Sequence, residues 1–169
     1  PERELWQYRP FIAFNLVVFF LHVSSSVVLP LVMQNIAAST SEDNMGLLNA
    51  SYCIVISQCA MVITARFSGI YAPKHGRKPL FLLAILSLVV RCFFVTLIIG
   101  YLPAGAVRFN LLLCTQVLDG ISAGFYNCLY PVIAGDLTEG TGCYGYSIGA
   151  LNSMMILGST VSTFGGELL

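Results

Sequence analysis

Charge is what this sequence has least of. Asp, Glu, Lys and Arg make up 9% of it, against roughly a quarter of the residues in a soluble globular domain. The 8 basic residues are matched by 8 acidic ones, and no basic patch interleaved with aromatics forms, which excludes nucleic acid as a partner. There is a single Trp, and the only histidines are His22 and His75. With no HExxH helix, no GxSxG turn and no GxxxxGK[ST] loop, no catalytic constellation emerges; no enzyme and no cofactor are expected. Cys53, Cys59, Cys92, Cys114, Cys128 and Cys143 show no CxxC spacing. All but the last lie inside apolar runs, where Cys behaves as a small hydrophobe, so neither a disulfide framework nor a metal site is expected.

What fills the sequence instead is apolar length. Hydrophobic residues are 57% of the chain and the mean hydropathy is +0.82. Five nearly uncharged runs stand out: Phe11 to Ile36, Met45 to Tyr71, Leu80 to Tyr101, Asn110 to Gly135 and Tyr144 to Leu168. A bilayer core about 30 Å thick takes roughly twenty helical residues at 1.5 Å each, because lipid offers backbone groups no hydrogen-bond partner. Barrel strands would alternate in hydropathy over about ten residues, and these runs do not. The expected fold is therefore all-α, a polytopic transmembrane helix bundle of five spans. The connections read as about seven to nine residues, which makes successive helices antiparallel neighbours in one bundle over 1–169. The chain begins at Pro1, not Met, and reads as processed or as part of a longer protein. No cleavable leader is visible.

Orientation follows from the cations. Arg3 and Arg9 precede the first run, with Glu2 and Glu4 beside them, and Lys74, Arg77 and Lys78 follow the second, with Arg66 shortly before. The other face carries Glu42, Asp43 and Arg108. The positive-inside bias puts the N-terminus on the cytoplasmic or equivalent side of a membrane that is either plasma or organellar. The lipid bilayer is the first partner.

Two charges lie deep in the runs. Arg91 falls about 16 Å into the third and Asp119 about 14 Å into the fourth, entered from the opposite face. Each costs at least about 2.5 kcal/mol near a helix centre. Opposite charges at one depth on sequential antiparallel helices predict an Arg91 to Asp119 ion pair, either as a structural pin or as a proton or substrate site.

Polar stripes mark other faces. Asn15, His22 and Ser26 share one side of the first span, with Pro30 beyond them to loosen the helical ladder. Asp119, Tyr126 and Tyr130 do so on the fourth, and Asn152, Ser159 and Thr163 on the fifth. Such residues serve either a solute or interhelical hydrogen bonds. Gly120 and Gly124 form a GxxxG spacing for close helix approach, and Gly149, Gly158, Gly165 and Gly166 notch the fifth span.

Between the second and third spans stand Gly69, Pro73, Lys74, Gly76, Arg77 and Lys78. This resembles the signature loop GxxxD(R/K)xGR(R/K) of the major facilitator superfamily, with Pro73 at the acidic position. Leu21 and His22 with Leu29, Pro30 and Leu31, the run from Leu118 to Gly124, and the run from Asp136 to Gly142 resemble a bacterial branch of that superfamily. Cys143 stands where the branch commonly has Arg. The resemblance implies spans one to five of a twelve-span secondary transporter moving a small solute by alternating access. It implies that Gly69, Lys74, Gly76, Arg77 and Lys78 help lock an inward gate. It also implies that spans one, four and five line the solute cavity with Asn15, His22, Ser26, Tyr126, Tyr130, Asn152 and Ser159, and that the third span is peripheral. A second helix bundle is needed for such transport. Val161 and Ser162 stand where drug antiporters of the family carry a Gly-Pro pair, so drug export gains no support. The alternative is a non-transporting accessory subunit of a large membrane complex, bioenergetic and organellar, whose partners are neighbouring membrane subunits; Pro73 and Cys143 motivate it.

Overall fold

The computed structural model describes residues 5–38 and 43–167. Glu2, Arg3, Glu4, Glu42 and the last residue of the expected fifth span, Leu168, lie outside them, as does the side chain of Asp43. The chain is 90% helical, and the described residues hold no strand. In order the helices are α1 (Arg9–Ser25), α2 (Val28–Ala38), α3 (Asp43–His75), α4 (Arg77–Tyr101), α5 (Ala106–Leu137) and α6 (Tyr144–Glu167). Long runs of Leu, Ile, Val, Ala and Phe leave the backbone no polar competitor, so each closes its own hydrogen bonds.

Among the described residues, three stretches are long and apolar enough to cross a membrane: Arg9–Ala38, Leu48–His75 and Arg77–Tyr101. The helices over the expected fourth and fifth spans are long as well, at 32 and 24 residues. They are more polar: α5 carries Arg108, Asn110, Gln116, Asp119 and Asn127, and α6 is rich in Ser, Thr and Gly.

The expected first span is broken. Pro30 has no N–H to give the carbonyl of Ser26, and residues 26–27 form a turn between α1 and α2. Ser26 N–H still reaches the His22 carbonyl at 3.1 Å. Val27 N–H leaves the ladder and donates to Ser162 Oγ of α6 at 3.1 Å. The hydroxyls of Ser24 and Ser25 both donate to the Leu21 carbonyl, at 2.9 and 2.8 Å, a side-chain competition that weakens helical continuity.

The connections are shorter than the sequence suggests. Between α3 and α4 stands Gly76 alone, and the next two connections are 102–105 and 138–143. Helix α3 continues past Tyr71 to His75 with Pro73 inside it. The proline ring crowds the carbonyl four residues earlier, which belongs to Gly69, the residue type that yields most easily. Gly76 N–H then closes on the Ala72 carbonyl at 3.1 Å. Its φ of 85° lies where only glycine is unstrained, so the chain reverses on one residue. The expected signature loop is thus the last turn of α3, one glycine, and the first turn of α4.

Two compact units emerge: Pro1–Val28 with Tyr130–Leu169, and Leu29–Leu129. In the first, α1 packs along α6. A Cβ on Gly158 would stand 2.5 Å from the Phe19 carbonyl oxygen and 3.0 Å from His22 Cβ, which is why the position is glycine. Leu5, Phe11 and Cys143 form a buried cluster there. Trp6 Nε1 donates to the Tyr146 hydroxyl at 2.8 Å.

In the second unit, α5 meets both α3 and α4. Gly120 and Gly124 lie against Ser57, Ala60, Met61, Thr64 and Ala65 of α3. Toward α4, Ser87 Oγ donates to the Leu118 carbonyl and Ser122 Oγ to the Ala84 carbonyl, both at 2.9 Å. Small residues bring the backbones close enough for these hydroxyls to cross between helices.

Candidate functional site

Two polar assemblies stand out, one in each unit. In the second unit, Arg91 lies on the buried face of α4 with Ala84, Ser87, Leu88, Val95 and Ile98. Only 1% of its side chain is exposed, and its Nη1 meets Asp119 Oδ1 of α5 at 2.5 Å. Asp119 Oδ2 accepts from Ser57 Oγ of α3 at 2.7 Å. Arg91 Nη2 donates to Gln116 Oε1 at 3.3 Å, while Nε has no hydrogen-bond partner among the described residues. Three helices therefore converge on one carboxylate and one guanidinium. The guanidinium and the carboxylate thus face each other at salt-bridge distance, braced by two neutral side chains.

Neither Ser57 nor Gln116 was among the residues singled out in the sequence. Gln116 stands three residues before Asp119 on the same helical face. Ser57 belongs to a buried row on α3 with Cys53, Thr64 and Ser68. Those spacings are the signal that would have found them.

In the first unit, a groove of about 750 Å³ is lined by His22, Met155, Ile156, Ser159, Thr160, Thr163 and Phe164. His22 Nδ1 lies 2.9 Å from the Val18 carbonyl of its own helix. Ser26 Oγ donates to Ser159 Oγ at 2.9 Å, tying the broken turn to the groove wall. The mouth is open and the lining is mostly apolar, with the imidazole and the hydroxyls as its few polar groups.

The other expected cavity residues go elsewhere. Asn15 is buried and its Nδ2 donates to the Phe11 carbonyl at 2.9 Å, one turn back on the same helix. Tyr126 is buried in the second unit, its ring centroid 6.1 Å from that of Phe81. The Tyr130 hydroxyl and Asn152 Oδ1 of the first unit approach to 3.4 Å. Of the signature residues, Lys74 is exposed on the last turn of α3, and Arg77 and Lys78 begin α4. Among the described residues, no three His, Cys, Asp or Glu side chains gather where a metal ion would sit.

No family profile matches the chain, and no solved structure matches it. Two curated proteins do, each named an uncharacterized MFS-type transporter, from two strains of Mycobacterium tuberculosis. Each is 32% identical over 154 residues, which is 91% of this chain and 34% of the relative. The chain thus spans about a third of the length of the curated relatives it matches.

Proposed function

Because this chain is a homologue of MFS-type transporters over 91% of its length, we propose that it serves secondary transport of a small solute by alternating access. The groove between α1 and α6 is the solute-facing surface, with His22 and Ser159 as its polar contacts. The observation that carries this reading is the coincidence of that groove with the break at 26–27: Ser26 and Val27 both bond to α6 hydroxyls there. A break whose backbone is re-satisfied by a neighbouring helix can move without stranding a polar group in lipid. In this reading α5 and α6 cross the membrane despite their polarity, the N-terminus faces the cytoplasm, and a second helix bundle completes the transporter. The protein is then not an enzyme. The accessory-subunit alternative draws no support from the relatives, both of which are named as transporters.

Uptake into membrane vesicles tests it. Vesicles carrying the protein together with the second helix bundle that completes the transporter are offered labelled sugars, organic acids, amino acids and short peptides. One class accumulates above protein-free vesicles, and Ser159→Ala and His22→Ala each raise the half-saturating concentration at unchanged protein level. If no class accumulates, the transport reading fails. If one does and both variants behave as the parent, the groove assignment fails.

A further inference from the structure

Three exposed cations stand toward the hairpin end of α3 and at the start of α4. Arg66, Lys74 and Lys78 are exposed and have no ion-pair partner among the described residues. The carboxylates of the second unit's described residues are Asp43 and Asp119. Asp119 is engaged by Arg91 and Ser57, and Asp43 starts α3, roughly 46 Å along the axis from Lys74. Pro73 stands in the junction where the resembled signature carries an acid.

Beside the cations runs an exposed aromatic row on α3. The Phe67 ring stacks on Tyr71 with centroids 6.0 Å apart, and Tyr71 lies 5.7 Å from the His75 ring. Amphipathic rings settle at the level of lipid headgroups. Arg66 sits about 14 Å along α3 before His75, within the apolar stretch Leu48–His75. A long guanidinium side chain there reaches outward to the headgroup level while its stem stays in hydrocarbon.

We propose that Arg66, Lys74 and Lys78 form a docking surface for the phosphodiester headgroup of an anionic phospholipid in the leaflet at this end of the helices. Arg66 approaches the phosphate from the hydrocarbon side, the two lysines approach it from the aqueous side, and the Phe67, Tyr71 and His75 row flanks the acyl and glycerol region. Three exposed cations at one interface, at the depth where aromatic residues gather, match a fixed anion of the membrane. This inference rests on the helices crossing a bilayer and stands whether or not the protein transports a solute.

Purified protein in detergent is incubated with phosphatidylglycerol or phosphatidylcholine, and retained lipid is counted by native mass spectrometry. At low salt the parent protein retains the anionic lipid at least about tenfold over the zwitterionic one, and the preference collapses as NaCl rises. In the combined variant Arg66→Gln, Lys74→Gln and Lys78→Gln the two lipids are retained alike, with an unchanged melting temperature in phosphatidylcholine. Equal retention of both lipids by the parent protein overturns the proposal, as does a preference that survives the combined variant or high salt. Complete displacement by millimolar inorganic phosphate would reassign the surface to a free anion.

Discussion

Arg91 is the residue on which the second unit turns. Its guanidinium is 1% exposed and Asp119 is 21% exposed, so neither charge has water enough to stand alone. Removing one partner of a buried pair leaves the other uncompensated, at about 3 to 5 kcal/mol, whereas replacing both by apolar groups of similar size is often close to neutral. Arg91→Met alone is therefore expected to lower the melting temperature of the purified protein sharply. Asp119→Leu alone does the same, and the double variant recovers most of the loss. Additive losses in the double variant would show that the two side chains do not act on each other. The pairing of these residues was legible from depth alone, because helical rise converts sequence position into height. Ser57 and Gln116 were less legible: a serine or a glutamine in a helix advertises no partner until the facing helix is in place.

At the scale of the helices, packing is set by where a side chain is missing. A Cβ on Gly120 would stand 2.5 Å from Ala60 Cβ and 2.9 Å from Met61 N, with the Ser57 carbonyl closer still. Backbone atoms cannot swing aside, so Gly120→Ala is expected to destabilise the protein by about 2 kcal/mol, in the range of overpacked cores. Gly149 of α6 has open space around its would-be Cβ. Gly149→Ala is thus neutral or slightly stabilising through helix propensity. Thermal unfolding of the two variants in one detergent checks this, and equal shifts would refute the close approach of α3 and α5. The GxxxG spacing announced a helix contact, yet the partner helix is not written in it. The break at 26–27 was partly legible through Pro30. Its acceptor, Ser162, was not, because the two residues stand on different helices and only packing joins them. At the Gly76 hairpin the apolar run ends at Tyr71, yet the helix continues to His75, because Gly69 one turn before Pro73 yields to the proline ring.

For the molecule as a whole, charge asymmetry between the ends of the helices predicts an orientation. Within the second unit, Lys74, Arg77 and Lys78 gather around Gly76, whereas among the described residues at the far ends of α2 and α4 the one cation is Arg108, which donates to Asn35 Oδ1. A Lys74→Cys variant is expected to react with a membrane-impermeant maleimide only from the cytoplasmic side. The native Cys59 and Cys114 are exposed on their helices, and with those helices in a bilayer they are expected to stay unlabelled in intact membranes. Labelling of position 74 from the outer side alone would invert the orientation and place the basic hairpin against the positive-inside bias.

Hydropathy by itself determined that the chain is helical and lives in a membrane, since a backbone without water has few other ways to satisfy its polar groups. The tertiary structure decided which glycine receives which backbone, and that the polar residues of α1 divide between a groove shared with α6 and bonds within their own helix. It also gathered Ser57 and Gln116 around the charged pair. Contacts of this kind depend on the rotation of one helix against another, and that angle is fixed by side chains far apart in the chain.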